Sequence, residues 1–296
     1  MPVRIDHAPG QPAHTTAALD ASGSNGRAND WGVEPPGIVA FAGKGGVGKS
    51  TLLVSTAVYL IARGWAVVVV DLDQTNQSIE QWRLIRERMR ANELADVKLV
   101  TVPVVAQGAE EPAPAALDRA EEYMAILRSN AGAGAMGRLP LILVDLPGGD
   151  GYRVDPKVLE RVDAAFLPAE PTTIAVGATR RLASTFGGSG HPRLRFVANR
   201  FQSERRKVEA VTALGDGYVA DAAVRSYVMH QDAYSLGLGV TEYAWIYKGH
   251  GPNEPKHNAC KDIEDLGQAM DRIVRVIRTT APNAPRLGTR REQSCA

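Results

Sequence analysis

The chain has 296 residues, 44% of them hydrophobic and 23% charged, with a formal net charge of +1 and a mean hydropathy of −0.17. This balance excludes a mainly disordered chain, and with no run of about 18 apolar residues a membrane-spanning helix is not expected. Two cysteines, Cys260 and Cys295, are too few for a disulfide framework or a four-thiolate cluster, and the polar N-terminus has no apolar signal core, so a cytoplasmic protein is expected.

Residues 1–36 are rich in Ala, Gly, Ser, Asn, Asp and Pro without periodicity and read as a flexible leader, which Pro35-Pro36-Gly37 closes. Ile38-Val39-Ala40-Phe41-Ala42 is a short apolar strand, followed by a glycine-rich turn and helical character over residues 52–63. Gly64 stops that helix, and Trp65-Ala66-Val67-Val68-Val69-Val70 has the β-branched content of a buried parallel strand, which completes a βαβ unit. Residues 118–128 read as a helix. Leu141-Ile142-Leu143-Val144, Ala164-Ala165-Phe166-Leu167-Pro168 and Leu194-Arg195-Phe196-Val197-Ala198 read as further strands. Residues 263–278 form an amphipathic helix with Ile263, Leu266, Met270, Ile273, Val274 and Ile277 on one face, expected to pack on the sheet. Residues 108–114 and 131–137 read as surface loops, and 280–296 as a loose tail. The alternation implies an α/β fold, a mainly parallel twisted β-sheet flanked by helices on both faces, occupying residues 37–279.

Gly43-Lys44-Gly45-Gly46-Val47-Gly48-Lys49-Ser50-Thr51 fits G-x-x-x-x-G-K-[ST] and sits between an apolar strand and a helix. Glycines let successive backbone N–H groups turn toward phosphate oxygens, and the following helix adds the positive end of its dipole. Lys49 is expected to reach the β- and γ-phosphates and the Ser50 hydroxyl to ligate Mg²⁺.

Lys44 adds a second lysine early in the loop, and the run Lys-Gly-Gly-x-Gly-Lys-Ser-Thr resembles the deviant Walker A P-loop ATPases, the ParA/MinD group. The resemblance implies a P-loop NTPase fold with ATP and Mg²⁺ as cofactors, and a Lys44 that crosses a dimer interface to the other protomer's nucleotide. Asp71-Leu72-Asp73-Gln74 resembles the family's switch I, which implies that Asp71 holds a water of the Mg²⁺ shell and Asp73 orients the attacking water. The family commonly has Pro-Gln after the second Asp, where this chain has Gln74-Thr75-Asn76-Gln77. The run from Leu141 to Gly149 resembles Walker B and switch II, with Asp145 on the metal side. Phe166-Leu167-Pro168-Ala169-Glu170-Pro171 resembles a loop near the base. Phe196-Val197-Ala198-Asn199-Arg200 resembles an element whose Asn contacts adenine, and residues 227–242 resemble the family's A…G…V-E region.

Within that group the chain is most similar to the small plasmid-partition ParA proteins. The implied function is an ATP-dependent partition ATPase, slow and partner-stimulated. It dimerises on ATP, binds DNA without sequence preference and meets a centromere-binding ParB-like adaptor, which places it on the nucleoid. No stable membrane association is expected, because residues 285–292 lack the apolar face of a membrane-surface helix. Arg272, Arg275 and Arg278 recur at helical spacing and are candidates for phosphate contacts, with Arg83, Arg86 and Arg90 and the run Arg205-Arg206-Lys207 as further clusters. Three alternatives stay open: the same engine positioning another cargo, an ATP-dependent metabolic ligase, and a nucleotide-gated module with negligible turnover.

Overall fold

The computed structural model describes residues 35–130, 139–148, 154–188, 191–214, 219–248, 258–280 and 287. The leader up to residue 34, the loop expected at 131–137 and most of the expected tail lie outside them. The described elements run β1 (Gly37–Phe41), α1 (Lys49–Ala62), β2 (Val67–Asp71), α2 (Ser78–Ala91), β3 (Val104–Ala106), α3 (Ala113–Asn130), β4 (Leu141–Asp145), α4 (Pro156–Arg161), β5 (Ala164–Ala169), α5 (Thr173–Thr185), β6 (Leu194–Phe201), α6 (Glu204–Leu214), β7 (Val219–Arg225), α7 (Val228–Ser235), α8 (Val240–Lys248) and α9 (Asn258–Thr280).

The seven strands make one parallel sheet in the order β3-β2-β4-β1-β5-β6-β7. Their near-continuous apolar runs follow from burial on both faces. Period-two alternation sends Val39, Phe41, Val67, Val69, Leu141 and Leu143 into one core. Ile38, Ala40, Val68, Val70, Ile142 and Val144 point into the other. Leu287, the one described residue of the expected tail beyond Thr280, is buried in the second core.

Helix α1 is buried continuously from Leu52 to Leu60, because it lies on the sheet beside α9 and is covered by α7 and α8. A helix apolar all round belongs in such an interior position. Helix α9 buries Ile263, Leu266, Met270, Val274 and Ile277 against the sheet, as its apolar stripe predicts. Each buried aliphatic side chain of this kind contributes about 1.5–3 kcal/mol.

The topology also places the functional end. From β1 the chain winds toward β2, and from β4 it winds the other way to β5, so α1 and α4 sit on opposite faces. A crevice opens at the carboxyl ends of strands where the winding reverses, the preferred ligand position in such sheets. Phe41, Asp71 and Asp145 end their strands there in direct register.

Candidate nucleotide and metal site

The loop from Gly43 to Gly48 leaves β1 at this crevice. Gly46 and Gly48 take left-handed φ values of 79° and 90°, the conformation that lets the loop fold back and α1 start at Lys49. Lys49 is 7% exposed, whereas Lys44 stands exposed on the loop. Gly148, just beyond β4, closes over the loop so tightly that a Cβ there would lie 3.0 Å from Lys49 Nζ and 3.3 Å from the Gly43 carbonyl oxygen.

Ser50 Oγ donates to Asp145 Oδ2 at 2.6 Å, joining the start of α1 to the end of β4. Asp145 is fully buried, and its Oδ1 has no hydrogen-bond partner. Burial pushes its carboxyl up to about 7, with the charges of Asp71 and Asp73 adding to the rise while Lys49 and the Ser50 bond oppose it. Among the described residues no group of three or more His, Cys, Asp or Glu could hold a metal unaided. Mg²⁺ at nucleotide sites draws its ligands largely from water and phosphate, and the Ser50 hydroxyl with the open Asp145 Oδ1 fits such an ion.

Asp71 sits beside Asp145 and organises the segment after it. Its Oδ1 accepts the Asp73 amide at 3.0 Å, and its Oδ2 accepts the amides of Ile79 at 3.0 Å and Glu80 at 3.2 Å, two of the first donors of α2. Burial is the largest influence on its carboxyl and raises it, against these three backbone donors. Asp73 is 4% exposed and is tied into the same turn. Its Oδ1 takes the Asn76 amide at 3.0 Å, its Oδ2 takes Asn76 Nδ2 at 2.9 Å, and its carbonyl takes the Gln77 amide at 2.7 Å. The expected switch I carboxylates are therefore together, each already engaged by backbone.

Asn199, at the end of β6, is buried and donates from Nδ2 to the Val47 carbonyl at 2.7 Å, while its Oδ1 takes the Arg200 amide at 2.9 Å. Arg200 adopts φ 56° and pairs with Glu170 at 2.8 Å, which links the ends of β5 and β6. A small cleft beside the phosphate loop is lined by Gly48, Thr51, Asn199, Ser226, Tyr227 and His230. Sequence reasoning did not single out Ser226 or His230 in this wall, because β7 and α7 bring them there from a distant part of the chain.

Two of the candidate phosphate-contact arginines make contacts within the fold. Arg278 turns inward, donating to the Pro35 carbonyl at 2.7 Å, the Pro36 carbonyl at 2.6 Å and Asp163 Oδ2 at 2.7 Å, so it fastens the end of α9 to the entry of β1. Arg86 belongs to the buried stripe Ile79, Trp82, Arg86 and Met89 and pairs with Glu242. Arg275 pairs with Asp271 at 3.0 Å on its own helix, and Arg83 with Glu80 and Glu87. Arg205 and Arg206 both pair with Glu209 on their own helix, at 2.9 and 3.2 Å, and these two on α6 and Arg272 on α9 are exposed.

A family model described as ParA: NUBPL iron-transfer P-loop NTPase matches residues 36–222. The chain belongs to this ParA family of P-loop NTPases. It is 29% identical over 158 residues to the cytosolic Fe-S cluster assembly factor NUBP2 of Bos taurus, an alignment covering 49% of this chain and 58% of that protein. The chain thus spans less than two thirds of the length of that relative.

Its fold is that of MinD. The MinC:MinD cell division protein complex of Aquifex aeolicus superposes with a TM-score of 0.53 at 16% identity, covering 78% of this chain and 94% of that one. The MinD cell division protein of the same organism gives 0.51 at 18% identity over 78% and 95%. The cell division ATPase MinD of Pyrococcus furiosus gives 0.50 at 16% over 80% and 99%. The expected α/β architecture is therefore observed, with an all-parallel sheet. Among the described residues, no helix is long and apolar enough to cross a membrane.

Proposed function

We propose that this ParA-family NTPase is a Mg²⁺-dependent ATPase switch that pairs with a second copy of itself on binding ATP. The observation that carries this reading is the 2.6 Å contact of Ser50 with Asp145, set beside a buried Lys49 and an exposed Lys44 on one loop. Loop amides and Lys49 hold the phosphates. Ser50, with Asp71 and Asp145 behind it, holds the Mg²⁺, which neutralises phosphate charge when bound. Asp73 orients a water for in-line attack on the γ-phosphorus. The bond from that phosphorus to the bridging oxygen breaks, and ADP and phosphate leave. Lys44 of each protomer reaches the nucleotide of the other, and Asn199 borders the adenine.

For the cargo, we propose DNA, held without sequence preference by the ATP-bound dimer and released when a ParB-like adaptor stimulates hydrolysis. Because Arg86 and Arg278 are used inside the fold, the cations for phosphate contact are Arg272 and Arg275 on α9 and Arg205 and Arg206 on α6, surface side chains whose own-helix ion pairs can exchange for phosphate.

The name of the bovine relative favours a second reading, an iron–sulfur cargo. The two cysteines of this chain lie at positions 260 and 295, and Cys260 is partly buried with its Sγ directed at the Val240 carbonyl, which places that reading second.

The deciding experiment measures binding to random-sequence duplex DNA with ATP, ADP and no nucleotide, at low and moderate salt. Binding that needs ATP and weakens with salt supports the DNA reading. No binding in any state, together with stable iron–sulfur absorbance after anaerobic reconstitution, transfers the proposal to the second cargo.

A further inference from the structure

Helix α7 touches the nucleotide cleft at one end and the switch segment at the other. His230 and Gln231 line the cleft beside Gly48 and Asn199. One turn on, Tyr234 Oη donates to the Ser78 carbonyl at 2.6 Å. Ser78 opens α2, and the two amides that follow it are those capped by Asp71. The residue before it, Gln77, is held at φ 45°, a conformation that costs a side-chain-bearing residue energy and persists only where its surroundings enforce it.

The rest of the contact between α2 and α7–α8 is close and hydrogen-bonded. Trp82 Nε1 donates to the Leu238 carbonyl at 3.3 Å, and Arg86 Nη1 donates to the Gly237 carbonyl at 2.9 Å. A Cβ on Gly237 would lie 2.4 Å from the Arg86 backbone nitrogen, so the two backbones are in direct contact. The α7–α8 connection thus packs directly on α2, and the first turn of α2 is held by both Asp71, at its amides, and Tyr234, at its first carbonyl. Burial, and the nearby carboxylates of Asp145 and Asp71, hold the Tyr234 phenol well above its ordinary ionisation, so the donor proton stays in place.

We propose that Tyr234 is a positioning residue for the switch segment: its hydroxyl fixes the first turn of α2, and with it Asp73, and transmits occupancy of the cleft through α7. The inference rests on the role assigned above to Asp73.

The test compares the full chain with Tyr234→Phe, which removes one oxygen and keeps the ring, and with Ser235→Ala as a control on the same helix. Hydrogen exchange is followed at the Asp73, Ile79 and Glu80 amides, with and without Mg²⁺ and a non-hydrolysable ATP analogue. Steady-state ATP turnover is measured alongside. In Tyr234→Phe, exchange at these amides rises about fivefold to tenfold, the scale of one lost hydrogen bond. The protection that nucleotide adds there in the wild-type chain disappears, and kcat falls by a similar factor while KM for ATP is kept. Ser235→Ala changes none of these. Equal exchange in Tyr234→Phe and wild type, or equal nucleotide-induced protection in both, overturns the inference. Nucleotide binding without any turnover in the wild-type chain overturns the hydrolysis reading instead, and the exchange comparison still decides the role of Tyr234.

Discussion

Arg86 and Glu242 form a two-pronged ion pair inside the protein, Nη1 to Oε2 at 2.8 Å and Nη2 to Oε1 at 2.7 Å, with side chains only 4% and 8% exposed. The pair joins α2 to α8, and Glu242 also accepts the amides of Val100 and Gly239. Removing one partner leaves a buried charge uncompensated. Glu242→Leu is expected to destabilise the fold by about 3–5 kcal/mol, and adding Arg86→Met is expected to recover part of that loss. Urea unfolding midpoints of the single and double variants check both statements.

A methyl group at Gly148 crowds the phosphate loop, so the Lys49 ammonium and the loop backbone must give by a few tenths of an ångström. Gly148→Ala places a Cβ 3.0 Å from Lys49 Nζ and 3.4 Å from the Gly45 amide nitrogen. The chain is expected to fold, since the crowding is local to the loop. Its ATP affinity is expected to fall about tenfold, equivalent to ~1.4 kcal/mol. Titration with a fluorescent ATP analogue measures it.

The two loop lysines are expected to separate cleanly. Lys49→Ala abolishes nucleotide binding, because the buried ammonium lies where the loop closes. Lys44→Ala, at an exposed position, changes stability by less than about 0.5 kcal/mol and keeps ADP binding, but removes the ATP-dependent dimer. Light scattering with ATP and ADP distinguishes the two variants.

Asn199→Ala is expected to act before any nucleotide binds. It strips the Val47 carbonyl of its 2.7 Å donor in a buried setting, a loss of about 1–3 kcal/mol. A lower Tm in nucleotide-free protein is the expected result.

Cys260 is expected to be inert. Burial pushes its thiol up to about 11 from an ordinary 9.0, so the thiolate is scarce near pH 8. In a Cys295→Ser background, a thiolate-selective reagent at pH 8 reacts on the order of a hundredfold more slowly with the folded chain than with the unfolded one. Because the folded value is the higher one, this group's contribution to stability is complete below pH 9.0 and is lost as pH climbs through about 11.

The phosphate loop, the strands that deliver Asp71 and Asp145, and the stripe of α9 were legible in the chain. Each depends on neighbours in sequence: a glycine spacing, a β-branched run or a 3.6-residue period. The helical spacing of Arg83, Arg86 and Arg90, three and then four residues, was legible too, yet it pointed outward, and Arg86 lies on the buried stripe because Glu242, 156 positions away, neutralises it there. Arg278 likewise reads as one more exposed cation until the carbonyls of Pro35 and Pro36 and the carboxylate of Asp163 are brought to it.

By itself, then, the sequence determined the engine: an α/β sheet with a phosphate loop at its carboxyl edge and two acidic strand ends beside it. Only the tertiary structure decided which charges remain at the surface, that Asp145 keeps a buried open oxygen beside Ser50, and that Tyr234 reaches the first turn of α2. The reason is physical. Local patterns encode backbone conformation and which face is buried, whereas the partner of a buried polar group is set by the crossing of elements far apart in the chain.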